Sequence, residues 1–297
     1  MLQECIDALN IKDGCVYVDV TFGGGGHSRA ILERLNSGRL YAFDQDSDAK
    51  KNTESIVHEG FTFVAANFRY MKRYLKMHGV TSVDGILADL GVSSYQIDEA
   101  ERGFSTRFEG ELDMRMDRDS PKSAKEVVNA YSEKDLHKVL GMYGEVRNAK
   151  TLASAIVAAR TNRPIITSGD LKEVLQRFAP RGKENKYFAQ VFQALRIEVN
   201  EELRALQEML EQAGELLNIG GRLVVMSYHS LEDRMVKNFI NKGNVQGNEE
   251  KDFYGNLLRP LEPVNKKPIT ASVEEVAQNS RARSAKLRIA EKLKDVE

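Results

Sequence analysis

Residues 16–46, VYVDVTFGGGGHSRAILERLNSGRLYAFDQD, constrain this chain more than any other stretch. Val16, Val18 and Val20 alternate with Tyr17 and Asp19 at the period of a strand, and four glycines follow. Residues 28–35 then carry apolar Ile31 and Leu35 one helical turn apart. A second apolar run, residues 40–43, ends on Asp44, about 20 residues past the glycines, where a nucleotide-binding unit sets the carboxylate that takes ribose hydroxyls. Lacking Cβ atoms, the glycines let backbone N–H groups approach a ligand at the positive end of a helix. The dinucleotide spacing Gly-x-Gly-x-x-Gly counted from Gly23 meets Ser28 at its third glycine, so a plain flexible βα turn stands as the competing reading.

The same alternation continues. Residues 1–10 read as a short helix, 47–57 as a helix capped by Ser47 or Asp48, 61–65 as a strand, 70–77 as a helix and 83–90 as an apolar strand. Strands alternating with helices predict an α/β fold with a parallel sheet, whose ligands sit outside the carboxyl ends of the strands. Asp44, Phe68 and Asp89 all fall at or just past such ends. Residues 91–119 lose periodicity over a length typical of functional or mobile loops. Phe104, Phe108, Met114 and Met116 favour a packed loop.

Residues 122–185 are helical, with capping-box spacings at Ser132/Asp135 and Thr167/Asp170. This predicts a helical insert in the sheet domain. Ten Lys or Arg residues between Arg147 and Arg196 face only Asp170, Glu173 and Glu184. Such a basic, turn-rich surface suits phosphate contacts, and a solvated helical face is the alternative. Residues 187–217 give the longest helical pattern, a core-facing one. Residues 222–228 return to a buried strand that runs into a helix with Ser230 as its cap, residues 242–269 read as loop, and residues 284–290 as a last strand.

Composition narrows the class. No apolar run approaches the roughly 18 residues of a membrane span, and the start is neither basic nor apolar, which places the protein in the cytoplasm with no membrane partner. Two cysteines, Cys5 and Cys15, are too few for a disulfide framework, and the five histidines never fall at ligand spacing, so no metal is expected. No Gly-Lys-Ser/Thr follows the glycines and no Gly-x-Ser-x-Gly occurs, which counts against phosphoryl transfer and serine hydrolysis. Methyl transfer from S-adenosylmethionine fits what remains. The sulfonium is already activated, and the protein need only align an acceptor with the methyl group.

VDVTFGGGGHS, LYAFDQD, DGILADLGVSSYQID, ERGFS, LDMRMD, FQALRIEVNEEL, SYHSLEDRMVK and NSRARSAKLRIAEK resemble, in order and across nearly the whole chain, the RsmH (MraW) family of 16S ribosomal RNA cytosine-N4 methyltransferases. The resemblance implies a class I (Rossmann-like) methyltransferase sheet domain, residues 1–103 and 187–297, with an inserted, mostly helical substrate-recognition domain, residues 104–186. It implies S-adenosyl-L-methionine as cofactor and 16S ribosomal RNA of the small subunit, at a decoding-region cytidine, as substrate. It sets Gly25, Gly26 and His27 at the methionine end of the cofactor, Asp44 on the ribose, and Phe68, Asp89 and Gln96 around the rest. Two departures stand out: family members usually begin with a longer segment bearing a His-x-Pro-Val-type stretch, and Val20 stands where glycine is common.

The exocyclic N4 is a poor nucleophile, so an acceptor that orients its N–H is expected. Asp89, Ser93 and His229 are the catalytic candidates, against a cofactor-binding role for Asp89 and a structural role at the start of a helix for His229. Arg160, Arg163, Arg181 and Lys183 are expected on RNA phosphates. A nicotinamide-dependent oxidoreductase and a non-enzymatic ribosome-assembly module are the competing functions. Monomer and homodimer both stay open.

Overall fold

The computed structural model describes residues 1–293. Helix α1 (Leu2–Ala8) leads into β1 (Val16–Asp19), α2 (Gly26–Leu32), β2 (Arg39–Asp44), β3 (Phe61–Ala65), α3 (Met71–Met77) and β4 (Val83–Asp89). Between β2 and β3 the expected α-helix is a 3-10 segment, Ser47–Ser55, started by the Asp46 carboxylate, which accepts the Asp48 N–H. Only Ala49 of that segment is buried, and Val57 is 97% exposed, so no apolar face holds a regular helix there.

The next elements are α4 (Ser94–Asp98), α5 (Ala124–Ala130), α6 (Glu133–Met142), α7 (Ala149–Asn162), α8 (Ser168–Gln176) and α9 (Glu184–Asn200). They form their own compact unit, Val92–Glu202, around a core that includes Leu112, Met114, Leu136, Leu152, Leu171 and Phe192. Its limits differ from the expected 104 and 186. At the front, the Met114 N–H bonds to the Arg102 carbonyl, and Leu112 and Met114 are fully buried, which ties the aperiodic loop to this core. Phe108, expected inside, is 45% exposed. At the back, Tyr187, Phe188, Val191, Leu195 and Val199 of α9 point into the same cluster.

The expected helix over 187–217 is therefore two helices, α9 and α10 (Glu202–Leu216), broken at Glu201 with φ +49°. Asn200 accounts for the break: its amide oxygen accepts the Met116 N–H, and its Nδ2 donates to the Met114 carbonyl at 2.7 Å. These contacts come from residues over eighty positions upstream, so the sequence window around Glu201 carries no sign of them.

The chain returns through β5 (Leu217–Ser227), α11 (Ser230–Lys242), β6 (Glu262–Pro263), β7 (Ile269–Thr270), α12 (Val273–Gln278) and β8 (Lys286–Glu291). With Met1–Gly91, the chain from Leu203 onward makes the other compact unit. Its strands run in the order β3-β2-β1-β4-β5-β8-β6, with β7 also on β8. The first five are parallel, while β8 is antiparallel to β5, β6 and β7. Alternate β4 side chains serve opposite faces: Ile86 and Ala88 join a core with Phe43, Val225 and Leu210, and Leu87 one with Ile6, Leu40 and Val224. Each such fully buried aliphatic or aromatic side chain contributes about 1.5–3 kcal/mol. No helix among the described residues is long and apolar enough to cross a membrane.

Candidate active site at the carboxyl edge of the sheet

Strand order reverses direction between β1 and β4, each beginning an outward march to its own side of the sheet. A crevice at the carboxyl ends of two such strands is where open α/β sheets take their ligands. Asp19 ends β1, Asp44 ends β2 and Asp89 ends β4. The strands thus deliver three carboxylates to one edge.

The glycine turn is held from several sides. Gly25 is the N-cap of α2 in the left-handed region, φ +75°, and a Cβ there would meet the Phe22 ring at 3.0 Å. Asn52 Nδ2 donates to the Gly23 carbonyl at 2.9 Å, and Arg29 to that of Gly24 at 2.8 Å. Ser28, the residue at the missing third glycine, is wholly buried and donates its hydroxyl to Asp19 Oδ2 at 2.7 Å. The departure from the dinucleotide spacing is therefore a tie between helix α2 and the end of β1. The Thr21 N–H also donates to Asp19, and burial raises the Asp19 carboxyl pKa while nearby His27 and the Ser28 bond act to lower it.

Asp44 accepts the Gly23 N–H at Oδ2 and the Asp46 N–H at Oδ1, both at 2.8 Å. Its pKa is pushed up to about 6 by burial, against those two bonds. Beside it, Gln45 Oε1 accepts from Asn67, whose own oxygen takes the Arg69 N–H and so starts the turn bearing Phe68. Phe68 is half-buried and packs against the sheet core.

Asp89 lies between two aromatic partners. The Tyr228 hydroxyl donates to its Oδ1 at 2.8 Å, and His27 Nδ1 stands 3.8 Å from its Oδ2. Burial raises the Asp89 pKa, with His27 and Tyr228 pulling the other way; burial and Asp89 together raise that of Tyr228. The structure thus brings together Gly25, Gly26, His27 and Asp89 around α2 and β4, with Asp44 tied to the same turn through Gly23. Asp19 and Tyr228 are functional-edge residues that pattern reading passes over. The available signals were an acid at a strand end and a tyrosine just past one.

Ser93 and Gln96 belong to the helical unit, where they hold each other: Ser93 Oγ accepts the Gln96 N–H at 3.2 Å, and Gln96 Oε1 the Ser93 N–H at 3.0 Å. This capping box starts α4. His229 is the N-cap of α11, one residue before the expected Ser230. Its Nδ1 accepts the Glu232 N–H, its Nε2 lies 3.2 Å from Glu232 Oε1, and the buried Glu232 takes the Tyr228 N–H at 2.9 Å.

The four basic residues expected on RNA separate into two kinds. Arg160 spends its guanidinium on the Val128 and Tyr131 carbonyls at 2.6 and 2.7 Å, at the carboxyl end of α5, and Arg163 pairs with Asp170. Arg181 and Lys183 are exposed and their side chains have no ion pair among the described residues.

The edge also fits a nucleoside sulfonium. Each Asp44 oxygen takes one N–H, which leaves acceptor capacity for ribose hydroxyls. A Cβ on Gly24 or Gly26 would meet nothing within 4 Å, so the turn faces open space. His27 Nε2 is buried without a hydrogen-bond partner, an orphan that a ligand atom can satisfy.

A parallel 3-2-1-4-5 sheet closed by an antiparallel strand, with acids at the ends of its first, second and fourth strands, defines a class I methyltransferase domain. Over residues 1–293 the chain matches the MraW methylase family, and it belongs to that family. It is 59% identical over 292 residues to ribosomal RNA small subunit methyltransferase H of Cytophaga hutchinsonii, spanning 98% of each chain. To the protein of that name from Phocaeicola vulgatus it is 56% identical over 293 residues, 98% of this chain and 96% of the other. Among solved structures, an rRNA methylase from Streptococcus thermophilus is similar with a TM-score of 0.42 and 12% identity, covering 99% of this chain and 94% of that one.

Proposed function

We propose that this chain transfers the methyl group of S-adenosylmethionine to the exocyclic N4 of a cytidine in the decoding region of 16S ribosomal RNA, with the small ribosomal subunit as the context. The observation that carries this reading is the full-length membership of the MraW methylase family in a chain whose strand-end acids and glycine turn fit the donor. The donor supplies an activated methyl group, so the protein's task is alignment and proton management.

Asp44 accepts the ribose hydroxyls, the Gly25–Gly26 turn and His27 face the amino-acid end, and Phe68 offers a ring to the adenine. Asp89 accepts N–H donors at Oδ2, the oxygen that Tyr228 leaves open. Because burial raises its pKa, the same carboxylate is able to hold a proton leaving the amine. Ser93, four residues past Asp89, is assigned to orient the acceptor amine; its hydroxyl accepts in the capping box and keeps its own proton to donate. His229 is assigned to the helix start rather than the chemical step, since its Nδ1 is spent on the Glu232 N–H. RNA phosphates fall to Arg181 and Lys183.

The test is methyl incorporation from labelled S-adenosylmethionine into small-subunit RNA, with the modified base mapped. A methylated cytidine N4 is expected. Methylation elsewhere, or binding of NAD in preference to S-adenosylmethionine, overturns the assignment.

A further inference from the structure

Within the helical unit lies a cavity of about 730 Å³, lined by Glu145, Arg147, Asn148, Pro180, Lys183, Lys186, Tyr187 and Gln190. That volume is in the range of small-ligand sites, roughly 300–1,000 Å³. Three cations, Arg147, Lys183 and Lys186, oppose the single acid Glu145 on its wall. All three are exposed, and none of their side chains has an ion-pair or hydrogen-bond partner among the described residues. Elsewhere in this unit basic residues are matched, as Lys122 is with Glu198, Arg115 with Asp113 and Arg163 with Asp170. Unmatched like charges around one concavity repel each other unless an anion joins them.

The floor is already ordered. Tyr187 is 5% exposed and donates its hydroxyl to Asn148 Oδ1 at 2.9 Å, while Asn148 Nδ2 donates to the Phe178 carbonyl at 3.3 Å. Asn148 and Lys183 are the N-cap positions of α7 and α9, so two helix starts border the cavity and add to its positive field. The half-buried Gln190 amide, unpartnered among the described residues, offers both a donor and an acceptor beside the cations.

We infer that this cavity binds one nucleotide of the single-stranded RNA substrate away from the methylated base, its phosphate held by Arg147, Lys183 and Lys186 and its sugar or base edge by Gln190. The inference rests on the proposed RNA methylation. It moves the main phosphate grip from Arg160 and Arg163 to residues that are free to make it. Arg147 and Lys186 thereby join Lys183 as RNA contacts.

The experiment compares the full-length protein with Arg147→Gln/Lys183→Gln/Lys186→Gln and with Lys134→Gln/Lys138→Gln, which neutralises two exposed lysines on α6. Binding of a single-stranded oligonucleotide carrying the methylated sequence is measured against salt, alongside methyl incorporation into small-subunit RNA. The triple variant should bind at least tenfold more weakly, and its log–log salt slope should shrink by about 2, given roughly 0.7 per lost single-strand phosphate contact. The α6 pair should change affinity less than threefold. Wild-type affinity and slope in the triple variant, or an equal loss in the α6 pair, overturns the cavity while leaving RNA methylation standing. If the unmodified protein methylates no RNA, it is the functional reading that fails.

Discussion

The Tyr228 hydroxyl donates to Asp89 Oδ1 at 2.8 Å, joining the residue just past β5 to the last residue of β4. Burial lifts the Asp89 pKa, and His27 and this bond work to keep it down. Tyr228→Phe removes the donor and keeps the ring, so the Asp89 pKa rises further. With ionised Asp89 as the working form, activity is present above that pKa and lost as pH falls through it. The acid limb of kcat/KM therefore moves to higher pH, with a several-fold loss near about pH 6 and a smaller one near about pH 8. A pH–rate profile checks this. An unmoved limb would assign Tyr228 to packing alone.

The glycine turn separates folding from binding. Gly25→Ala forces a side chain into the left-handed region and against the Phe22 ring at 3.0 Å, so it should destabilise the fold by about 1–2 kcal/mol. At Gly24 and Gly26 a Cβ meets nothing within 4 Å and φ is not in that region. Alanine there should leave the melting temperature within a degree or two while weakening S-adenosylmethionine binding, because the open space is where the ligand lies. Thermal melts paired with calorimetric titration distinguish the two classes. Equal binding by all three variants would remove the turn from the cofactor site.

Asp44 predicts a pH-dependent stability difference. Its pKa is near 6 in the fold and begins from 3.8, so the native state binds its proton more tightly than the unfolded chain does. Stability from this group is present at low pH and is lost as pH rises from about 4 through about 6. Asp44→Asn carries no such titration. The stability of the variant relative to the unsubstituted protein should therefore improve by roughly 1 kcal/mol between about pH 5 and about pH 7.5. Denaturant melts at the two pH values measure it. A constant difference would mean that Asp44 keeps its unfolded pKa.

What was legible in the sequence is the part governed by local period and by strand ends. Val16, Val18 and the run at 83–90 announce buried parallel strands, and Asp44 and Asp89 stand where such strands stop. Pairings over long sequence distance were not legible. Tyr228 reaches Asp89 across 139 positions, and Asn200 breaks a helix by binding Met114, 86 positions earlier. Glu201 itself looks like a good helix residue, and only those contacts make its left-handed turn worthwhile. Charge was legible as composition and not as use: Arg160 and Lys183 look alike in the sequence, yet one is bound to two carbonyls and the other is free of ion pairs.

His229 separates catalysis from capping. In its present position it accepts the Glu232 N–H at Nδ1 and faces the Glu232 carboxylate, whose other oxygen takes the Tyr228 N–H. Losing an N-cap acceptor costs about 1 kcal/mol. His229→Ala should lower stability by that amount and leave kcat at saturating cofactor and RNA within about twofold, while His229→Asn, a good N-cap, should restore most of the stability. The kcat is the decisive readout, because a cap defect moves the melt and not the saturated rate. A hundredfold fall in kcat that asparagine fails to rescue would return His229 to the chemical step.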